Sequence, residues 1–127
     1  MGDDRDKQEA DIRAACEQQD FDRAATLTIE AYGQELLAFL ISRMRSPDDA
    51  ADVFAIFSEE YWKSLPSFQW RCSARTWAYK LARRSAGHYQ DAARRRNARQ
   101  VNVSTIAKLS QAVAWIVSSS SRTSSTF

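Results

Sequence analysis

One run of apolar residues constrains this chain more than any other feature. Ala25, Ile29, Tyr32, Leu36, Phe39 and Leu40 recur at offsets of 4, 7, 11, 14 and 15 residues from the first. That spacing is the helical period, and it gathers the six side chains into a single apolar stripe. Asp20 stands ahead of the stripe as an N-cap. Gly33 lies inside it, at a local cost of about 1 kcal/mol against alanine. Close approach of a neighbouring helix would account for that glycine.

The next signal is a restart. The first stripe ends near Arg45, and Ser46-Pro47-Asp48-Asp49 follows. Ser46 accepts a backbone N–H as N-cap, and Pro47 has no N–H to leave unsatisfied at the first helical position. Asp48 and Asp49 then meet the positive end of the helix dipole, with Asp49 at the capping-box position. The helix that begins there carries Ala50, Val53, Phe54, Phe57 and Tyr61 on one face and closes at Pro66. Residues 68–73 read as a loop. Ser73 caps a further helix over residues 74–96, with Ala74, Trp77, Ala78, Leu81, Ala82, Ser85 and Tyr89 as its stripe. A shorter helix is predicted over residues 7–18. Ser104 starts a terminal one carrying Ile106, Leu109, Val113 and Ile116. Residues 118–127 hold six Ser and two Thr, too little apolar surface to offset the entropy of ordering, and are read as a flexible linker or tail.

The pattern is therefore all-α, a compact three- to four-helix bundle with a flexible C-terminal linker. Three segments are expected: an acidic N-terminal segment with a short helix (1–19), the helical domain (20–97), and a linker, helix and Ser/Thr-rich tail (98–127). The 127 residues suit one domain, and 44% apolar content supports a core. No apolar run approaches the roughly 18 residues needed to span a bilayer. The polar, acidic N-terminus is unlike a signal peptide. Cys16 and Cys72 are far apart with no C-x-x-C spacing, as free thiols in a reducing cytoplasm would be.

Charge is segregated along the chain. The overall formal charge is +2, yet residues 1–60 hold 15 acidic and 6 basic residues while residues 61–127 hold 1 and 12. The halves thus carry −9 and +11, which suggests one face for a basic partner and another for a polyanion. Catalysis finds little support. His88 is the sole histidine, which leaves no zinc set and no nucleophile–histidine arrangement. The pairs Asp48-Asp49 and Glu59-Glu60 are adjacent on a helix, so their carboxylates diverge by about 100°. No enzyme activity, cofactor or metal is expected. Residues 70–84 alternate aromatics and cations: Trp70, Arg71, Arg75, Trp77, Tyr79, Lys80, Arg83 and Arg84. Cations neutralise phosphates and aromatic faces accept unstacked bases, a combination suited to single-stranded or melted DNA. Trp77 lies on the apolar stripe and is read as core. Trp70 lies in the loop and off any stripe, so it is read as an exposed platform for a base.

Three stretches resemble a known family when taken in order. They are Pro47-Asp48-Asp49-Ala50-Ala51-Asp52-Val53, Trp62-Lys63-Ser64-Leu65-Pro66-Ser67-Phe68, and Arg75-Thr76-Trp77-Ala78-Tyr79-Lys80-Leu81-Ala82-Arg83. Over residues 21–96 the chain resembles region 2 of the extracytoplasmic-function (ECF) class of bacterial sigma-70 factors. The resemblance implies a transcription initiation factor that binds core RNA polymerase and recognises and melts the −10 promoter element. It implies that the helix at 47–64 docks on the clamp helices of the polymerase beta-prime subunit through Asp49, Asp52, Val53, Phe57 and Glu60. It implies that Trp70, Arg71, Cys72 and Ser73 hold a base flipped from the non-template strand. Arg75, Lys80, Arg83, Arg84 and His88 would contact the backbone or neighbouring bases. An anti-sigma factor is the implied regulatory partner. Two departures accompany the likeness. The family's Gln-Glu pair after Asp-Val is Ala55-Ile56 here, and no stretch after Val101 has the pattern of the family's second DNA-binding domain, region 4. The chain is accordingly read as an isolated region 2 fragment or a truncated member. Two other classes compete: a small helical protein-interaction module, and a nonspecific single-strand nucleic-acid binder.

Overall fold

The computed structural model describes the backbone of residues 2–117 and the side chains of residues 4–98. Four α-helices account for nearly all of it: α1 (Gly2–Glu17), α2 (Phe21–Arg43), α3 (Pro47–Ser64) and α4 (Ala74–Val117). A single 3-10 turn, Leu65–Ser67, follows α3. The all-α expectation holds, and no strand occurs among the described residues. None of these helices is long and apolar enough to cross a membrane. The chain divides into two units, residues 1–89 and residues 90–127.

The caps follow the sequence signals. Asp20 accepts the Arg23 N–H at 3.2 Å and starts α2, and Ser46 Oγ accepts the Asp49 N–H at 3.0 Å and starts α3. Helix α1 extends further towards the N-terminus than periodicity suggested. Asp4 and Asp6 lie near its positive end, where carboxylates are favourable. The turn that closes it after Glu17 holds Gln19, whose φ of 61° is left-handed. The Gln19 and Asp20 N–H groups turn back to the Cys16 and Ala15 carbonyls, closing the helix in the manner usually entrusted to glycine.

In the first unit α2 is central, packing against both α1 and α3. Its buried line is Ala24, Thr28, Tyr32, Leu36 and Leu40, one residue aside from the expected start at Ala25 and Ile29, which are half-buried. The shift arises at Thr28, a polar residue that an apolar pattern passes over. Its hydroxyl is fully buried, donates to the Ala24 carbonyl at 2.8 Å, and accepts from the buried Tyr61 hydroxyl of α3 at 2.8 Å. Burying that pair is tolerable because each hydroxyl is hydrogen-bonded. Gly33 does face a neighbour: a Cβ there would lie 3.8 Å from the Phe54 ring of α3, and 3.2 Å from Ile29 of its own helix. Ile12 and Ala15 of α1, Val53, Phe57 and Tyr61 of α3, and Ala74, Ala78, Leu81, Ala82 and Ala86 of α4 complete the core.

Helix α4 corrects one expectation. A stop near Arg96 and a new cap at Ser104 are not observed, because residues 74–117 are helical throughout. No proline or glycine occurs after Gly87 to break the backbone, and the stretch is rich in good helix formers. Within residues 90–127, Arg94 ion-pairs with Asp91 one turn away. The Ser/Thr-rich segment and the side chains of Ile106, Leu109, Val113 and Ile116 lie outside the described residues.

Candidate nucleic-acid interface

The loop between the 3-10 turn and α4 is built by its aromatics. Phe68 stacks on Trp77 of α4, with centroids 5.3 Å apart and planes 11° from parallel. It also meets Trp70 at 4.7 Å. The Trp77 indole N–H donates to Ser64 Oγ at 2.9 Å, tying α4 to the end of α3. These contacts leave an open cavity of about 300 Å³, lined by Ser67, Phe68, Gln69, Arg71, Cys72, Trp77 and Lys80. That volume is at the lower end of small-ligand pockets, about 300–1,000 Å³. Two flat rings, an amide and two cations are the groups needed to stack a planar heterocycle, read its edge and hold a neighbouring phosphate.

The expected roles of several loop residues change. Trp70 is not an exposed platform. It is half-buried, does not line the cavity, and is enclosed by Phe68 and by the Arg13 guanidinium of α1, 5.3 Å from its ring centre. Its φ of 58° is left-handed, which a bulky residue adopts only when its surroundings impose it. Arg71 is exposed and Cys72 half-buried, and both line the cavity. Ser73 is the N-cap of α4: Oγ accepts the Thr76 N–H at 3.0 Å, and its carbonyl accepts the Trp77 N–H.

Arg75 turns inward. Its Nε and Nη2 donate to Glu35 Oε1 of α2 at 3.0 and 2.7 Å, and its guanidinium lies over the Tyr79 ring at 5.0 Å. The Tyr79 hydroxyl donates to the same Glu35 oxygen at 2.9 Å. The Arg75 hydrogen bonds hold the Glu35 carboxyl below its ordinary range, and the same bonds push Arg75 up. Arg75 is therefore a tie between α4 and α2, not an outward cation. Lys80, Arg83, Arg84 and His88 are all exposed. Their spacings of three and four residues set them on one face of α4 as a continuous basic row.

The first turn of α4 has no free N–H to offer a phosphate. Glu9 of α1 accepts the Ala74 and Arg75 N–H groups at 2.8 and 3.1 Å, while Ser73 takes those of Thr76 and Trp77. Any phosphate bound here would have to be held by side chains.

On α3 the acidic set divides. Asp52 and Glu60 are exposed and Asp49 is half-buried. The Tyr89 hydroxyl of α4 donates to Asp49 at 3.0 Å and to Asp52 at 3.3 Å, which pushes the phenol up. Val53 and Phe57 have 0% exposure and present no surface to any partner. Their place on the apolar stripe sends them to the core. Ile56, at the site of the Ala55-Ile56 departure, is an apolar side chain that α3 does expose, at 44%, as is Trp62.

Sequence reasoning passed over Ser67, Phe68 and Gln69 as lining residues, although an amide beside two loop aromatics is a readable sign. Glu9 and Glu35 carried no local sign, since their partners are 23 to 66 positions away. Among the described residues, no group of three His, Cys, Asp or Glu side chains is placed to hold a metal ion.

The fold thus sets an aromatic cavity beside a row of exposed cations on α4. A family model described as sigma-70 region 2 matches residues 28–99, more than half of the chain, and the chain belongs to that family. Region 2 is a transcription-factor domain and not an enzymatic one, and it binds RNA polymerase and promoter DNA. No significant match was found among curated proteins or among solved structures.

Proposed function

We propose that this chain is the region 2 domain of an ECF-type sigma factor acting in the bacterial cytoplasm, and that it captures one base of the melted −10 non-template strand in the loop cavity. The observation that carries this reading is the cavity itself, walled by Phe68 and Trp77 and rimmed by Arg71 and Lys80. A base in the duplex cannot enter it. Binding an extruded base therefore favours the open strand over the closed one, by the difference in affinity between the two. Arg71, Lys80, Arg83 and Arg84 supply charge for the flanking phosphates, and Gln69 supplies donor and acceptor groups for a base edge. His88 extends the row. Cys72 closes one wall, with Trp70 and Ser73 shaping the loop behind it. On α3, Asp49, Asp52 and Glu60, with Ile56 between them, form the face offered to the beta-prime clamp helices. An anti-sigma factor would cover these same surfaces.

The test measures binding of the full chain, alone and with core polymerase, to a −10-like single strand, a scrambled strand of equal length and the matching duplex. Selective binding of the −10-like strand, strengthened by polymerase, is the expected result. Equal affinity for both single strands would instead support a nonspecific single-strand binder. No binding at low salt refutes the DNA role. A charge-reversing Asp52→Lys/Glu60→Lys pair should abolish the polymerase-dependent gain and leave intrinsic strand binding intact.

A further inference from the structure

Helix α1 lies outside the residues that match the family, yet one face of it holds both ends of the cavity wall. Glu9 Oε1 accepts the Ala74 N–H at 2.8 Å, and Oε2 accepts the Arg75 N–H at 3.1 Å and the Tyr32 hydroxyl at 2.5 Å. One turn on, Arg13 covers the Trp70 ring at 5.3 Å. Between these two anchors are Arg71, Cys72 and Ser73, and the first two line the cavity. The left-handed Trp70 backbone makes the first anchor necessary, because a tryptophan held so relaxes once its enclosure is removed. The second anchor fixes where α4 begins. Glu9 spans two successive backbone donors with both oxygens, which sets position and direction together.

We infer that α1 is the positioning element of the base cavity, with Glu9 as its positioning residue: it sets base selectivity without touching the strand. This rests on the cavity being the base site. Arg83 and Arg84 lie two turns or more beyond these anchors along α4 and act through charge. Loss of Glu9 should accordingly change discrimination and spare electrostatic affinity.

The test uses the full chain with Glu9→Gln and Glu9→Ala, well below the unfolding midpoint of each. Glutamine keeps one acceptor oxygen, stays folded more readily and should give an intermediate effect. The first readout is the ratio of affinities for the −10-like and scrambled strands. It should fall about five-fold in Glu9→Ala, with scrambled-strand affinity kept within about two-fold. The second needs no DNA: the alkylation rate of Cys72 by iodoacetamide, in a Cys16→Ser background, should rise as the wall loosens. If the unsubstituted protein discriminates and both variants keep its ratio, the inference is overturned. It is also overturned if both strands weaken in parallel, which is the mark of a purely structural role. If the unsubstituted protein does not discriminate, the base-site reading fails by itself. The alkylation rate then decides alone whether Glu9 positions the loop, and an unchanged rate overturns that claim.

Discussion

Replacing Trp77 separates two tasks performed by one ring. It stacks on Phe68 and donates to Ser64, and it also lines the cavity. A fully buried aromatic truncated to alanine costs about 3–5 kcal/mol. Trp77 is half-buried, so Trp77→Ala should cost less, about 2–3 kcal/mol, with the Ser64 bond and the ring pair each near 1 kcal/mol. Domains of this kind hold about 5–15 kcal/mol in reserve, which leaves the variant folded in the cold. Loss of one base–aromatic stack, about 1–3 kcal/mol, should raise Kd for the −10-like strand about 5- to 150-fold. Trp77→Phe keeps a stacking ring and loses the Ser64 bond together with the smaller ring of the indole. It should lower stability by about 1 kcal/mol and leave Kd nearly unchanged. Fluorescence anisotropy with a labelled oligonucleotide gives Kd, and urea unfolding on the same samples gives the folded fraction. If Trp77→Ala loses stability but binds as well per folded molecule, the aromatic wall is not the base platform.

Salt dependence should count the outward cations. Five phosphates engaged through Arg71, Arg75, Lys80, Arg83 and Arg84 would give a log–log slope near −3.5, but Arg75 is committed to Glu35, so the contribution of this set should be near −2.8. Arg84→Ala should reduce the slope by about 0.7 while Arg75→Ala lowers stability and leaves the slope; a slope that changes with Arg75 would overturn the inward assignment. Glu35 makes a pH prediction. Its lowered carboxyl contributes stability that is fully present above the unfolded value near 4.5 and is lost as pH falls through the folded value. Thermal midpoints between about pH 5 and pH 3 should therefore fall faster for the wild type than for Glu35→Gln. The difference should stay near 1 kcal/mol or less, because the pair is one-third exposed, and equal slopes would refute it. Gln19→Gly should raise stability by about 0.5–1 kcal/mol, since the left-handed φ there suits glycine. An unchanged or lower urea midpoint would count against that reading.

What the sequence disclosed depended on how far apart the cooperating residues lie. The helix starts at Asp20, Ser46 and Ser73 were legible because a cap acts within three residues of itself. The stripe of α3 was legible for the same reason, and taken at face value it already placed Val53 and Phe57 inside. Assigning them to a docking surface set a family role above their period. Trp70 departs from its local pattern in the opposite direction. A loop aromatic off any stripe looks exposed, and only the fold brings Arg13, 57 positions earlier, over its ring. The terminal end of α4 shows the limit of local punctuation, since Ser104 can cap a helix but does not oblige one to begin.

The segregation of charge acquires a different meaning once the partners are traced. Several carboxylates of the acidic half do not wait for an external partner. Glu9 closes the start of α4, Glu35 takes Arg75 and Tyr79, Asp22 accepts the Trp62 indole at 2.7 Å, and Asp49 and Asp52 take Tyr89. Four of these five acids reach α4, the helix that carries the basic row. The acidic half thus acts partly as the frame that orients the basic half. The four acids that reach α4 also take up a donor or a cation on its inward side. Under the proposed reading, what a strand would meet is Arg71 and Lys80 at the cavity, then Arg83, Arg84 and His88 along the outer face. Because Arg75 and the first-turn N–H groups of α4 are taken up by Glu35, Glu9 and Ser73, the cations of α4 left beside the cavity are those of its outer face, and under the proposed reading their field steers a polyanion towards the aromatic wall.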